Sequence, residues 1–182
     1  VGCGPGTVTL PCAEHFSEAV GVDPDPDMLA QAERRACSLG VRNVRWVEVR
    51  AEDLPGDLGK FQVILFAQSF HWTERAQVAA TVRDMLEPGG WLVLMSDLKT
   101  PRTEPAVLPY PTPPYESIAE LTQQYLGTVR RVGQGLLIHG TPSGESEILN
   151  AAGFEQLRRL VVPSGAVVVR TAEDIVAWVF SR

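Results

Sequence analysis

The chain has 182 residues, enough for one domain with a buried core, and 45% hydrophobic with 21% charged residues is typical of a globular protein. Its net charge of −6 argues against a nucleic-acid surface, and the lack of an 18-residue apolar run argues against a membrane-spanning helix. The three cysteines have no C-x-x-C spacing, which argues against the usual zinc sites, and no metal is expected. Unpaired cysteines of this kind predict a cytoplasmic location.

Three glycines alternate at the start of the chain, in the segment V-G-C-G-P-G. Glycines at this spacing allow a backbone to approach a ligand without an intervening Cβ atom. A helix is predicted at 7–16, and the short apolar run at 19–22 then ends in Asp23. An acidic side chain at the tip of such a strand can accept hydrogen bonds from ribose hydroxyls. The pattern therefore predicts a nucleoside-binding βαβ unit.

Helices and strands are predicted to alternate along the next stretch of chain. A helix at 25–39 has Asp25 as its N-cap, Pro26 at its first position and Gly40 after its end. Strands follow at 45–50 and 61–66, then a helix at 74–86 and a strand at 91–96. This alternation predicts a parallel sheet with helices on both faces.

The second half of the chain has a different composition. Residues 101–114 hold six of the 14 prolines, which predicts an extended crossing segment in place of a central strand or helix. Helices are predicted at 115–132 and at 145–152, where Gly153 ends the second one. A hairpin is expected from 155–162 and 165–170, and a further helix begins at 171–174.

Four elements in this order resemble the class I S-adenosylmethionine-dependent methyltransferases. They are the G-x-G-x-G segment with Asp23, the stretch A-E-D-L-P at 51–55, the strand 61–66 followed by A-Q-S-F-H-W, and L-E-P-G-G before the strand 91–95. The resemblance is close over 1–97 and looser beyond. It implies an α/β, Rossmann-like sheet that is mostly parallel, with an antiparallel C-terminal hairpin, in a chain truncated at both ends. Val1 would be the last residue of the central first strand.

The resemblance also implies a single domain in three parts and a set of site residues. The parts are a cofactor-binding half at 1–97, an insertion or acceptor lid at 98–142, and a C-terminal part at 143–182. The residues implied at S-adenosyl-L-methionine are Gly2, Cys3, Gly4, Gly6, Asp23, Pro24, Met28, Glu52, Asp53 and Gln68.

Several of these residues have alternative interpretations. Asp23 could instead share the helix cap with Asp25, and Met28 could belong to the apolar stripe of its helix. Either Glu52 or Asp53 would meet the adenine amine, or the pair could cap a turn. Cys3 is expected to be a packing residue and not a nucleophile.

His71 is the candidate catalytic residue, since histidine is the commonest general base near neutral pH. The alternative is that His71 and Trp72 anchor the loop and shape the wall of a pocket. The sequence S-F-H-W around His71 is similar to a small-molecule subgroup that includes the trans-aconitate methyltransferases, and quinone-biosynthesis methyltransferases are of the same type.

The function implied by the resemblance is methyl transfer to a small organic acceptor, with no nucleic-acid or membrane partner. One alternative is a non-catalytic methyltransferase-like domain that binds cofactor or a partner. A nicotinamide-dependent oxidoreductase is another, but Thr7 stands where its fingerprint requires a third glycine. The sequence does not indicate the acceptor atom or the oligomeric state.

Overall fold

The computed structural model describes residues 1–55, 57–96, 114–127, 130–132, 135–137, 144–162 and 171–174. The chain divides into two compact units. The first consists of Val1–Lys99 and Ser143–Leu157, and the second of Thr100–Pro142 and Arg158–Arg182. In the described part, no helix is both long enough and apolar enough to cross a bilayer.

Helices and strands alternate through the first hundred residues. In chain order the elements are α1 (Thr9–Ala13), β1 (Ala19–Asp23), α2 (Pro26–Leu39), β2 (Val44–Glu48), β3 (Phe61–Ala67), α3 (Arg75–Met85), β4 (Leu86–Met95), α4 (Tyr115–Leu126), β5 (Arg130–Val132), β6 (Gly135–Leu137) and α5 (Glu145–Ala151). Short 3₁₀ turns lie at Ala51–Asp53 and Phe70–Trp72.

The strands of the first unit form two parallel pairs. Strand β1 pairs with β2 from Ala19 opposite Val44 onward, and β3 pairs in parallel with β4. The predicted alternation of strands and helices with parallel pairing is therefore confirmed here. In the second unit, β5 and β6 pair antiparallel.

The chain start lies between these two parallel pairs. The amino group of Val1 donates to the carbonyl of Leu65 in β3 at 2.7 Å, and the amide of Cys3 donates to the carbonyl of Val22 in β1 at 2.9 Å. Beyond these contacts β1 and β3 are not paired with each other among the described strands. A cavity of about 820 Å³ separates them, lined by both strands and by the chain start.

Helix α2 begins and ends as its sequence predicts. The Asp25 carboxylate accepts from the amides of Asp27 and Met28, and Pro26 occupies the first helical position. At the other end Gly40 adopts the left-handed conformation, with φ of 70°. Because caps supply partners for backbone groups that a helix end leaves unpaired, these residues fix both ends of α2.

The core of the first unit lies where α3 packs on β3. The α3 residues Val78 and Val82 are fully buried, as is Phe66 of β3. The other buried members of this cluster are Leu54, Ile64, Phe70, Ala79, Met85 and Leu86. Helix α5 covers part of this cluster with Ile148 and Leu149, and Phe154 after the helix also packs against it. The burial of these apolar side chains holds the carboxyl end of β3 in a fixed position.

Some predicted boundaries are wrong. Helix α1 covers only Thr9–Ala13 within the predicted 7–16. Helix α4 ends at Leu126 before Gly127, whose φ is 75°, and Arg130–Val132 form a strand instead of continuing the helix to 132. Strand β4 already begins at Leu86, which pairs with Phe61 before pairing resumes at Trp91.

The C-terminal predictions are only partly covered by the structure. Residues 155–162 carry no strand in the described part, and Leu160, Val161 and Val162 are exposed there, so the first arm of the predicted hairpin is not observed. The second arm, 165–170, lies outside the described residues. The helix start at 171–174 is confirmed, and Thr171 and Asp174 exchange two capping hydrogen bonds.

Candidate functional site

The candidate site lies at the carboxyl ends of β1 and β3, on either side of the glycine segment (residues 2–6). In parallel α/β sheets, ligands bind in the crevice at this edge. The 820 Å³ cavity runs along β1 and β3 and shares Gly2, Cys3 and Gly4 with the site, but Asp23, Glu52, Gln68 and His71 do not line it.

Asp23 ties the end of β1 to the glycine segment. Its side chain is only 9% exposed, and its Oδ2 atom accepts from the amide of Gly4 at 2.8 Å while Oδ1 accepts from the amide of Asp25 at 3.0 Å. An ionised carboxylate can accept about four hydrogen bonds, so each oxygen keeps capacity for a ligand hydroxyl. The cap of α2 belongs to Asp25, which leaves Asp23 for the site.

The three glycines of the segment all have positive φ, but their surroundings differ. A Cβ atom on Gly2 would lie 2.5 Å from the Cβ of Ser69, and one on Gly6 would lie 3.0 Å from the ring of Trp46. No described atom lies within 4 Å of the corresponding position on Gly4. The outer glycines therefore pack against the protein, and the middle one leaves room for a ligand to approach.

Cys3 is a protonated thiol at neutral pH. Burial, with a further contribution from the negative charge of Asp23, raises the pKa of Cys3 to about 12. Because the thiolate is the nucleophilic form, this side chain is inert, which supports its interpretation as a packing residue. Its Sγ atom lies against Gly21 of β1, 3.2 Å from where a Cβ would stand.

The structure distinguishes between the two acidic residues after β2. The Oε1 atom of Glu52 accepts from the amide of Glu74 at 3.0 Å, and its Oε2 lies 3.5 Å from Nε of Arg50. The backbone carbonyl of Glu52 also accepts from Gln77 of α3. Glu52 thus holds the start of α3, whereas the neighbouring Asp53 is exposed to solvent.

We expect the role of Glu52 to appear as a pH-dependent stability. Partial burial opposes ionisation of Glu52, but the hydrogen bond from the amide of Glu74 and the charge of Arg50 together lower its pKa below 4.5. A lowered pKa contributes stability that is present above the ordinary value and lost as the pH falls through the folded-state value. Glu52→Gln should cost about 1 kcal/mol near neutral pH, which lowers Tm by about 2–4 °C.

Thermal unfolding of wild type and Glu52→Gln near neutral pH and near pH 3.5 measures this effect. The difference in Tm should shrink at the lower pH, because the stabilisation by the lowered pKa of Glu52 is lost as the pH falls below the ordinary value of 4.5 towards the folded-state value. A difference of equal size at both pH values would show that the charge of Glu52 does not stabilise α3.

The loop after β3 is fixed at several points. The amide of Gln68 continues the sheet by donating to the carbonyl of Met95 at 2.9 Å, although Gln68 itself has φ of 55°. Its carbonyl accepts from Nε1 of Trp72 at 3.1 Å. Phe70 is buried and meets Phe66 edge to face, with ring centroids 5.3 Å apart. A left-handed non-glycine residue is uncommon, and strain of this kind persists where surrounding contacts enforce it.

His71 and Trp72 are the half-buried side chains of this loop. Their ring centroids lie 4.4 Å apart with the planes inclined by 50°. The loop position is the one expected for His71, but its role as a general base remains a prediction. Nearby, at the start of α2, Pro24 is exposed and Met28 half-buried, unlike the buried Leu29 of the same helix.

The structure brings some predicted residues into direct contact and leaves others apart. Asp23 and Gly4 are hydrogen-bonded, and Glu52 is bound to the amide of Glu74 at the start of α3. No three His, Cys, Asp or Glu side chains of the described residues gather into a possible metal site.

Sequence reasoning missed Ser69, whose hydroxyl donates to the carbonyl of Val1, because no local pattern signals a contact across 68 positions.

The sequence comparisons with known proteins found methyltransferases. Residues 1–90 match the sequence profile described as "Methyltransferase domain". An uncharacterized methyltransferase of Mycobacterium tuberculosis is 31% identical over 106 residues, covering 56% of this chain and 40% of that protein. Methyltransferase ptaI of Pestalotiopsis fici is 31% identical over 152 residues, covering 78% and 41% respectively.

Among solved structures, the YcgJ protein of Bacillus subtilis aligns with a TM-score of 0.48 and 29% identity, covering 51% of this chain and 40% of that one. The chain spans about two fifths of the length of the curated relatives it matches.

Proposed function

We propose, from the match of residues 1–90 to a methyltransferase domain, that this chain is a class I S-adenosylmethionine-dependent methyltransferase, which binds S-adenosyl-L-methionine and directs methyl transfer to a small organic acceptor. The observation that carries the proposal is the buried Asp23 carboxylate, which is bound to the amide of Gly4 at the carboxyl edge of the sheet. This arrangement suits a ribose whose hydroxyls donate to the remaining carboxylate lone pairs.

The other cofactor contacts follow from position around Asp23. The open space over Gly4 would admit the methionine part of the cofactor, with Gln68 at the end of β3 on the other side. The exposed Asp53 is proposed to meet the adenine amine, because the carboxylate of Glu52 is already bound to Glu74. Met28 would contact the adenine face.

The cofactor supplies an already activated methyl group on a sulfonium. The task left to the chain is to hold the acceptor in line with that methyl group and to exclude water. A general base is needed only if the acceptor must lose a proton to become nucleophilic. His71 on the loop after β3 is the proposed residue to receive such a proton.

A small acceptor is proposed because the chain carries a net charge of −6 and S-F-H-W follows β3. An acidic protein is poorly suited to a nucleic-acid substrate. The alternative is a non-catalytic domain that binds cofactor or a partner. It would bind S-adenosylhomocysteine but release no methylated product with any acceptor.

We also propose that an extended segment leading into Val1 fills the cavity between β1 and β3 in the native protein. Neither strand is paired on its edge towards this cavity with another strand of the described residues, and the hydrogen bonds of Val1 to Leu65 and of Cys3 to Val22 already join one side to the other. A parallel strand in this place would continue both sets of bonds.

Calorimetric titration with S-adenosylhomocysteine tests both proposals. The chain and a version extended upstream by native sequence are compared, with NAD as the control ligand. Binding of S-adenosylhomocysteine without binding of NAD supports the cofactor assignment, and tighter binding by the extended version supports the added strand. If neither version binds S-adenosylhomocysteine, the cofactor assignment is wrong.

A further inference from the structure

Ser69 is the residue through which the loop after β3 touches the chain start. Its hydroxyl donates to the carbonyl of Val1 at 2.7 Å, across 68 positions of sequence. The same side chain closes off the space beside Gly2, where an added Cβ would come within 2.5 Å of the Ser69 Cβ and 3.0 Å of its Oγ. The glycine segment is therefore held on this side by both a hydrogen bond and a van der Waals contact.

Ser69 also begins the 3₁₀ turn that carries His71 and Trp72. Its carbonyl accepts from the amide of Trp72 at 3.1 Å, and it precedes the turn as its N-cap residue. On the other side, Gln68 is anchored to the carbonyl of Met95. These hydrogen bonds fix the backbone on both sides of the Ser69 side chain. A shift of that side chain therefore displaces the turn, and a shift of the turn displaces the side chain.

From these contacts we propose that Ser69 is a positioning residue that couples the glycine segment to the 70–72 turn. Ordering of the glycine segment by a ligand is transmitted through the Val1–Ser69 hydrogen bond and the Gly2–Ser69 contact to the turn on the acceptor side. This inference rests on the proposed function, in which the glycine segment binds the cofactor and the turn faces the acceptor. Coupling through this contact is reciprocal, so loss of the Ser69 hydrogen bond also weakens binding at the segment.

Thr73 provides a matched control in the same loop. Its hydroxyl donates to the carbonyl of Phe70 at 2.9 Å, so it makes the same kind of bond as Ser69 without reaching the glycine segment. Ser69→Ala and Thr73→Val each remove one hydroxyl and keep most of the side-chain volume. Both variants are expected to unfold a few degrees below wild type, and their circular dichroism spectra establish that they are folded.

Amide hydrogen exchange of the ligand-free chain is the first measurement, because it does not depend on the proposed function. Exchange at residues 2–6 should become about fivefold faster in Ser69→Ala, the factor expected for one lost hydrogen bond, and stay within about twofold of wild type in Thr73→Val. Equal acceleration in the two variants, or none in Ser69→Ala, would overturn the coupling.

Calorimetry with S-adenosylhomocysteine is the second measurement. The dissociation constant should rise about fivefold in Ser69→Ala and stay within about twofold in Thr73→Val. Addition of the ligand should slow exchange at residues 70–72 in wild type and in Thr73→Val, but much less in Ser69→Ala.

The two measurements distinguish a failure of the coupling proposal from a failure of the proposed function. If wild type does not bind S-adenosylhomocysteine, the proposed function is wrong, and the exchange rates of the ligand-free variants still decide the coupling. If wild type binds and the two variants bind equally, the function stands and Ser69 has no positioning role.

Discussion

Replacement of Asp23 by alanine is expected to weaken binding of S-adenosylhomocysteine by roughly 1.5–3 kcal/mol, the scale of lost hydrogen bonds to a charged group. This corresponds to a dissociation constant about 10- to 150-fold higher. The buried carboxylate fixes the amide of Gly4 and offers its remaining lone pairs to the ribose, so its removal affects both the ligand and the glycine segment. Isothermal titration calorimetry measures the effect directly.

Asp25→Ala is the control for this prediction, because Asp25 is an acidic neighbour with a purely local task. It caps α2 through the amides of Asp27 and Met28, and loss of such a cap costs about 1 kcal/mol of stability. Asp25→Ala should therefore lower Tm and leave the affinity for S-adenosylhomocysteine nearly unchanged. Equal loss of affinity in both variants, or none in Asp23→Ala, would mean that Asp23 is not the ribose ligand.

The second large effect is expected from Gly21→Ala in the middle of β1. A Cβ atom there would lie 2.3 Å from Cζ3 of Trp46 and 3.2 Å from Sγ of Cys3. The Cζ3 and Cε3 atoms of Trp46 lie against the glycine, and the ring cannot retreat freely because it also meets Gly6. Overpacking of this kind typically costs about 1–3 kcal/mol, and we expect Gly21→Ala at the upper end of that range. Equilibrium unfolding in urea measures the loss.

A double variant isolates the contact responsible for this loss. Gly21→Ala is combined with Trp46→Leu, which removes the ring that the new methyl group would meet. The cost of Gly21→Ala should then fall to about 1 kcal/mol or less, so the two substitutions are strongly non-additive. An equal cost in both backgrounds would place its cause in the conformation of β1 and not in the Trp46 ring.

Features that depend on neighbouring residues were well predicted from the sequence. Helix α2 is the clearest case, because Asp25, Pro26 and Gly40 act within one turn of its ends. The position of Asp23 at the end of β1 was likewise expected from the apolar run before it, whereas its hydrogen bond with the amide of Gly4 is a finding of the structure.

Features set by distant contacts were not predictable. Glu52 and Asp53 are adjacent and both acidic, and only the approach of α3 decides that Glu52 is the one that binds Glu74. Ser69 gains its partner from Val1, 68 positions away. The start of β4 was misplaced because Glu87–Gly90 reads as a turn, yet Leu86 before it already pairs with Phe61.

The cavity between β1 and β3 has a consequence for how cooperatively the first unit of the 182-residue chain unfolds when no added strand fills it. Among the described residues, two hydrogen bonds of the chain start join β1 to β3 across this cavity. The amide of Cys3 donates to the carbonyl of Val22 in β1, and the amino group of Val1 donates to the carbonyl of Leu65 in β3. The block of β1, α2 and β2 is also joined to the block of β3, α3 and β4 at Glu52, which accepts from the amide of Glu74 and from Gln77 of α3, so the two blocks separate only when both links break. Partial opening of this kind would expose strand edges that could pair with a second molecule. Such pairing is a route to domain swapping.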